Sequence, residues 1–169
     1  MRHRRRILFA LLTVGLLTSC SGGGDTALDG SSQASGVAGY DHAQVGDEYW
    51  VAMPPLANKS GKPLTVLDAE IVHVPAGLRI TGYRVADSAD SGGGYLIGSS
   101  PVAATDDVKV GPIRVAAHSQ SDLYYEARVK VTGAVHGDLA DCRFTYRQGS
   151  TTHHQDLGCD TRIRLGKPL

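Results

Sequence analysis

His153, His154 and Asp156 place two imidazoles and a carboxylate within four positions, the residue types from which a zinc or similar divalent site is built. Neighbours on a strand point to opposite faces, so the two histidines share one ion only where a turn bends them together. A third ligand would come from Asp141 or His136. A copper centre is disfavoured, because no Cys-x-x-x-x-His pattern occurs and Met53 is the only methionine besides Met1. The simpler expectation for these residues is an exposed polar hairpin tip.

Other chemistries leave weaker traces. Asp87-Ser88-Ala89-Asp90-Ser91-Gly92 offers closely spaced oxygens but lacks the acidic alternation and distal Glu of an EF-hand, and Asp106-Asp107 is no better. No G-x-S-x-G nucleophile elbow is present, and Ser99-Ser100-Pro101 with scattered histidines shows no triad logic. Asp47-Glu48 sits where an aromatic strand would begin. Gly92-Gly93-Gly94 is not followed by Lys-Ser/Thr, so it is no phosphate loop, and no cofactor-binding motif is recognised. Tyr49, Trp50, Tyr83, Tyr95 and above all Tyr124 have the rings to stack on a sugar or peptide. Cross-strand aromatic pairing is the plainer role for them. Asn58-Lys59-Ser60 matches a glycosylation sequon.

The start of the chain says where such a protein works. Arg2, Arg4, Arg5 and Arg6 precede an apolar run from Ile7 to Leu17, and the stretch closes on Leu17-Thr18-Ser19-Cys20. A charged head, a short apolar core and small closing residues make an export signal. The run is shorter than the roughly 18 residues needed to cross a bilayer. Its four closing residues resemble the lipobox of bacterial lipoproteins, and Ser21-Gly22-Gly23-Gly24 resembles the soft tether that follows it. The resemblance implies that Cys20 receives a diacylglyceryl group and becomes the first mature residue, on the extracytoplasmic face of a membrane. Two acyl chains there would anchor firmly. Arg5-Arg6-Ile7-Leu8 loosely resembles a twin-arginine signal, with Arg4 ahead of the pair, and the export route stays open.

Composition bounds the rest. The 169 residues become 150 once a 19-residue signal is removed, enough for one domain. The precursor carries 17 basic and 17 acidic side chains; losing four arginines leaves 13 against 17, a net of −4. That balance gives no basic surface for nucleic acid. With Cys20 lipidated, Cys142 and Cys159 remain as an even pair in an oxidising compartment.

Alternation then sets the fold class. In Leu123–Val131, Leu123, Tyr125, Ala127, Val129 and Val131 alternate with Tyr124, Glu126, Arg128 and Lys130, a strand with one wet face. Tyr49–Met53, stopped by Pro54-Pro55, reads as a first or edge strand. Thr65–Val74 reads as a strand with Leu67, Ala69 and Ile71 inward. Pro75-Ala76-Gly77 is a turn, Gly82 marks a bulge, and Tyr95–Ile97 and Ile113–Val115 are short strands. Cys142, Phe144 and Tyr146 share a parity, as do Leu157, Cys159, Ile163 and Leu165. Folding them as a hairpin around Gly149-Ser150-Thr151-Thr152, with Cys142 opposite Cys159, pairs Phe144 with Leu157 and predicts a cross-strand disulfide. No helical stripe stands out.

These readings predict a signal over 1–19, a lipidated cysteine and flexible Gly/Ser tether over 20–45, and an all-β, antiparallel domain over 46–169. The last resembles immunoglobulin-like β-sandwich surface domains in architecture alone. The expected role is non-enzymatic: binding an envelope protein, peptide or polymer while anchored to the membrane, with no nucleic-acid partner. The alternatives are a metal-handling lipoprotein using His153 and His154, and a small envelope hydrolase.

Overall fold

The computed structural model describes residues 26–30, 38–91 and 111–168. Tyr95–Ile97 and the signal, Cys20 included, lie outside them. The described chain is all-β: β1 (Ala38–Ala43), β2 (Glu48–Ala52), β3 (Ala57–Asn58), β4 (Leu64–His73), β5 (Leu78–Asp87), β6 (Ile113–Val115), β7 (Ser119–Gln120), β8 (Leu123–Val131), β9 (Ala140–Gln148), β10 (Thr151–Leu157) and β11 (Thr161–Leu165). The only helical turn among the described residues is a 3-10 turn, Ser88–Ser91. Two antiparallel sheets carry the body, ordered β10-β9-β4-β6 and β2-β8-β5. Two small pairs complete it, β3 with β7 antiparallel and β1 with β11 parallel.

The two sheets face each other because each has one apolar side. Tyr125, Ala127, Val129 and Val131 of β8 and Cys142, Phe144 and Tyr146 of β9 are buried in one shared cluster. The Tyr125 and Phe144 rings meet at 6.4 Å between centroids. Across the same gap the Tyr83 hydroxyl accepts from the Ile71 amide at 3.1 Å. Tyr125 donates to the Gly111 carbonyl at 3.0 Å, and burial pushes its phenol up to about 12.

β2 is an edge strand, as Pro54-Pro55 implies, and the bulge at Gly82 is present: Ile80 faces Val129 while Gly82 faces Arg128. Gly77 turns β4 into β5 at φ +89°, where a Cβ would stand 2.2 Å from the Ala134 carbonyl oxygen. Only glycine fits there.

Three expectations need correction. A second bulge, between Val66 and Asp68 against Tyr146 and Thr145, flips the parity of β4. Leu64 and Val66 therefore point inward before it and Ala69 and Ile71 after it, leaving Leu67 38% exposed. The β9–β10 hairpin closes on Gly149-Ser150 alone, with Gly149 at φ +62° and Gln148 paired to Thr151. That tight turn slides the register by two residues, so Cys142 faces Leu157 and Phe144 faces Gln155. Cys159 lies beyond the last pair of β10, yet its sulfur meets that of Cys142 at 2.12 Å, with the Cα atoms 5.7 Å apart. The bond ties β9 to the turn before β11 rather than crossing the ladder. Leu165 shares the inward parity but is exposed.

The third correction concerns the tether. Residues 26–30 and 38–43, expected within flexible chain, belong to the body. Leu28 is 0% exposed and makes an antiparallel bridge with Asn58. Lys59 N donates to Ala27 O at 2.9 Å and Asp29 N to Ala57 O at 2.8 Å. On the other side Gln155 acts as a surrogate strand: its Oε1 accepts from Leu28 N at 3.0 Å and its Nε2 donates to Leu28 O at 2.7 Å. Leu28, with Ala27 buried beside it and hydrogen bonds to the Asn58 edge on one side and the Gln155 amide on the other, draws a polar segment into the core. Leu28→Ala should therefore cost about 2–5 kcal/mol in a urea or thermal unfolding measurement, whereas a residue in free tether would cost nothing. Replacing Cys142 and Cys159 together should remove about 3 kcal/mol, read as the drop in stability relative to the oxidised parent.

Candidate functional site

The outer face of the four-stranded sheet holds a polar constellation that spans three strands. It follows from register. β10, β9 and β4 place His154, Thr145 and Asp68 in one cross-strand row and Asp156, Arg143 and Glu70 in the next. Strands about 4.8 Å apart bring such residues into contact. These six side chains line an open recess of about 620 Å³.

Arg143 is the recess's organiser. Its Nε and Nη2 donate to Asp156 Oδ1 and Oδ2 at 2.8 and 3.0 Å, a two-pronged pair. Nη1 reaches Glu70 at 3.5 Å. The guanidinium hydrogen bonds hold the Asp156 carboxyl below its ordinary range. Thr145 Oγ1 and His154 Nδ1 share a hydrogen bond of 3.0 Å, while Asp68 Oδ1 accepts from the Ala69 amide at 2.9 Å. Three carboxylates against one guanidinium make a recess suited to a cationic group.

The His153, His154 and Asp156 set is not brought together. His153 lies on the opposite side of β10 from His154, its ring stacked on Tyr146 at 5.2 Å and 17°. Asp156 is occupied by Arg143. Asp141 pairs instead with His73 Nδ1 at 2.8 Å, and His136 is exposed. Among the described residues no three His, Cys, Asp or Glu side chains converge to hold an ion. The alternation of a regular strand separates the two imidazoles, and the tight turn does not bend them back.

The other candidates resolve into structural roles. Tyr124 and Trp50 are 1% and 2% exposed, so neither offers a stacking face. The Arg84 guanidinium lies 4.1 Å over the Trp50 ring and its Nε donates to the buried Glu126 at 2.6 Å. The wet face expected for β8 is thus covered at Tyr124 and Glu126. Tyr49 donates to Asp47 at 2.7 Å, while Glu48 pairs with Arg128 at 2.5 Å and Lys130 at 3.5 Å. Asp87 Oδ1 accepts from the Ala89 amide, capping the 3-10 turn. The Asn58 amide is buried; it donates to Lys62 O and Ala116 O and accepts from Ser60, leaving the sequon no free nitrogen. Ser99-Ser100-Pro101, Gly92-Gly93-Gly94, Tyr95 and Asp106-Asp107 lie outside the described residues.

Asp68, Glu70, Arg143 and Thr145 carry no local motif. Arg143 and Asp156 both sit on outward parities, which is the one sequence signal that joins them. The hairpin register decides whether they meet, because a slip of two residues puts Thr145 opposite Asp156 instead. No family model, curated protein or solved structure matches the chain.

The Arg143–Asp156 pair has a titration signature. A carboxyl whose pKa is lowered by folding adds stability above its unfolded value near 3.8, and loses it as pH falls through the lowered value. Asp138, held down by Arg162 and Arg164, acts in the same direction. Stability should fall on acidification below about pH 4. In Arg143→Leu the Asp156 carboxyl resonance should titrate at higher pH than in the parent, as read by NMR.

Proposed function

We propose that the chain is a membrane-anchored extracytoplasmic lipoprotein whose all-β body binds and does not catalyse. Its ligand is a protein, peptide or envelope polymer engaged through the outer sheet face and neighbouring loops. An immunoglobulin-like β-sandwich is the architecture this reading favours. The single observation that carries it is the recess built from His154, Thr145, Asp68, Asp156, Arg143 and Glu70. It offers donors and acceptors on rigid strands, and an excess of carboxylates that selects a basic segment or amino-bearing polymer. None of its hydroxyls is held by an activating base–carboxylate chain: Thr145 meets His154, whose far side has no carboxylate bonded to it among the described residues.

The anchor rests on Leu17-Thr18-Ser19-Cys20 and on the pairing that leaves Cys20 the one cysteine outside the disulfide. Intact-mass analysis of the protein extracted from membranes should show a diacylglyceryl-modified Cys20 as the first residue; an unmodified start elsewhere refutes it. For the recess, a photo-crosslinking residue at position 145 in the full chain, expressed in its cell envelope, should capture a discrete partner. The same residue at position 160 should not, and Glu70→Lys with Asp156→Lys should reduce capture at least tenfold. Equal labelling from positions 145 and 160 counts against the recess as the binding surface.

A further inference from the structure

Among the described residues, the four-stranded sheet gathers basic side chains at the end of the body where the N-terminal segment enters. Ala27 N donates to the Tyr146 hydroxyl at 3.2 Å, and Lys59 N donates to Ala27 O at 2.9 Å. The entering chain thus arrives beside the Lys59–Lys62 turn and the β9–β10 hairpin tip. Gln148 Nε2 donates to Ser60 Oγ at 2.7 Å and Lys62 O at 2.9 Å, fastening that turn to the end of β9. One residue earlier, Arg147 lies in a row with Thr65 and Arg114 across β9, β4 and β6. Lys59, Lys62, Arg114 and Arg147 are all exposed, and among the described residues none is paired with a carboxylate. Asp87, the last residue of β5, and Asp122, just before β8, stand at the same end on the three-stranded sheet, and Asp29 lies within the clasp around Leu28. The acidic rows of the four-stranded sheet follow further along the strands.

We propose that this basic end seats on anionic lipid headgroups. The proposal rests on the lipid anchor at Cys20. Six residues, 21–26, separate Cys20 from Ala27. Fully extended, they hold the entry point within about 25 Å of the anchor. A flexible stretch through residue 45 would have let the body tumble well clear of the surface; the clasp at Leu28 removes that slack. Attraction between a polybasic patch and anionic lipid acts within a Debye length, about 8 Å at physiological salt. The short leash keeps Lys59, Lys62, Arg114 and Arg147 near enough for motion within it to carry them into that zone, where attraction to the phosphates holds them.

The test uses the processed protein, extracted from membranes and reconstituted into phosphatidylcholine vesicles with or without 30% phosphatidylglycerol. Lysine acylation by a water-soluble reagent, read by mass spectrometry, reports contact. Lys59 and Lys62 should be labelled about fivefold less in the anionic vesicles, with Lys130 and Lys167 unchanged. Salt at 0.5 M, or Arg114→Glu with Arg147→Glu, should restore labelling. Equal reactivity of Lys59 and Lys167 in both vesicles overturns the seat while leaving the anchor intact. Equal protection in both vesicles overturns the headgroup-charge basis. Protein that fails to float even with phosphatidylcholine vesicles refutes the anchor, and the seat with it.

Discussion

Everything in this body depends on two apolar sheet faces being pressed together. β8 supplies Tyr125, Ala127, Val129 and Val131 to the gap; β9 supplies Cys142, Phe144 and Tyr146. Burial of the Val129, Val131 and Phe144 side chains contributes on the order of 1.5–3 kcal/mol each. The polar atoms carried into the gap are satisfied there, the Tyr125 hydroxyl on the Gly111 carbonyl and the Tyr83 hydroxyl on the Ile71 amide. Because the inward faces are committed to one another, the outward faces are fixed as well. The recess around Arg143 is the reverse side of the same strand that buries Phe144.

That coupling explains how a small bulge can matter to a surface. If β4 ran without interruption, Leu67 would point inward and Asp68 and Glu70 would fall on the same parity as Leu64 and Val66. The extra residue between Val66 and Asp68 lets Val66 and Ala69 both reach the core, and it places Asp68 and Glu70 outward beside Thr145 and Arg143. Apolar packing and the charged face are satisfied by one local irregularity, at the expense of exposing Leu67.

The N-terminal clasp works on a different principle. Residues 26–30 are too polar to fold on their own account, and Leu28 is their one large apolar side chain. It becomes ordered because the body provides both a buried place for the side chain and partners for its backbone, the edge at Asn58 and the Gln155 amide. The cost of ordering a few residues is thereby met by one fully buried leucine and several backbone bonds. Among the described residues, exposed Lys59, Lys62, Arg114 and Arg147 stand near that entry, and Asp68, Glu70 and Asp156 lie further along the same sheet face.

How far the sequence reached can be seen residue by residue. Alternation in Leu123–Val131 and in Cys142–Tyr146 determined that the body is β and that Tyr125, Ala127, Val129, Val131, Cys142, Phe144 and Tyr146 face inward, since a period of two is a local property of the extended chain. It missed that Leu123 is exposed and that Tyr124 and Glu126 are covered. The Pro54-Pro55 stop, the Pro75-Ala76-Gly77 turn and the Gly82 bulge were legible for the same reason: backbone restrictions belong to single residues. Register is not such a property. Whether Cys142 faces Cys159 or Leu157 depends on a two-residue turn, and both choices keep the same parity, so the hydrophobic pattern could not distinguish them. The meeting of Arg143 with Asp156 turned on that register, its approach to Glu70 on the bulged β4–β9 pairing, and the capture of Leu28 on where Gln155 comes to lie. They were decided only by the tertiary structure, because contacts between distant strands are set by how the sheets close and not by any stretch of chain read alone.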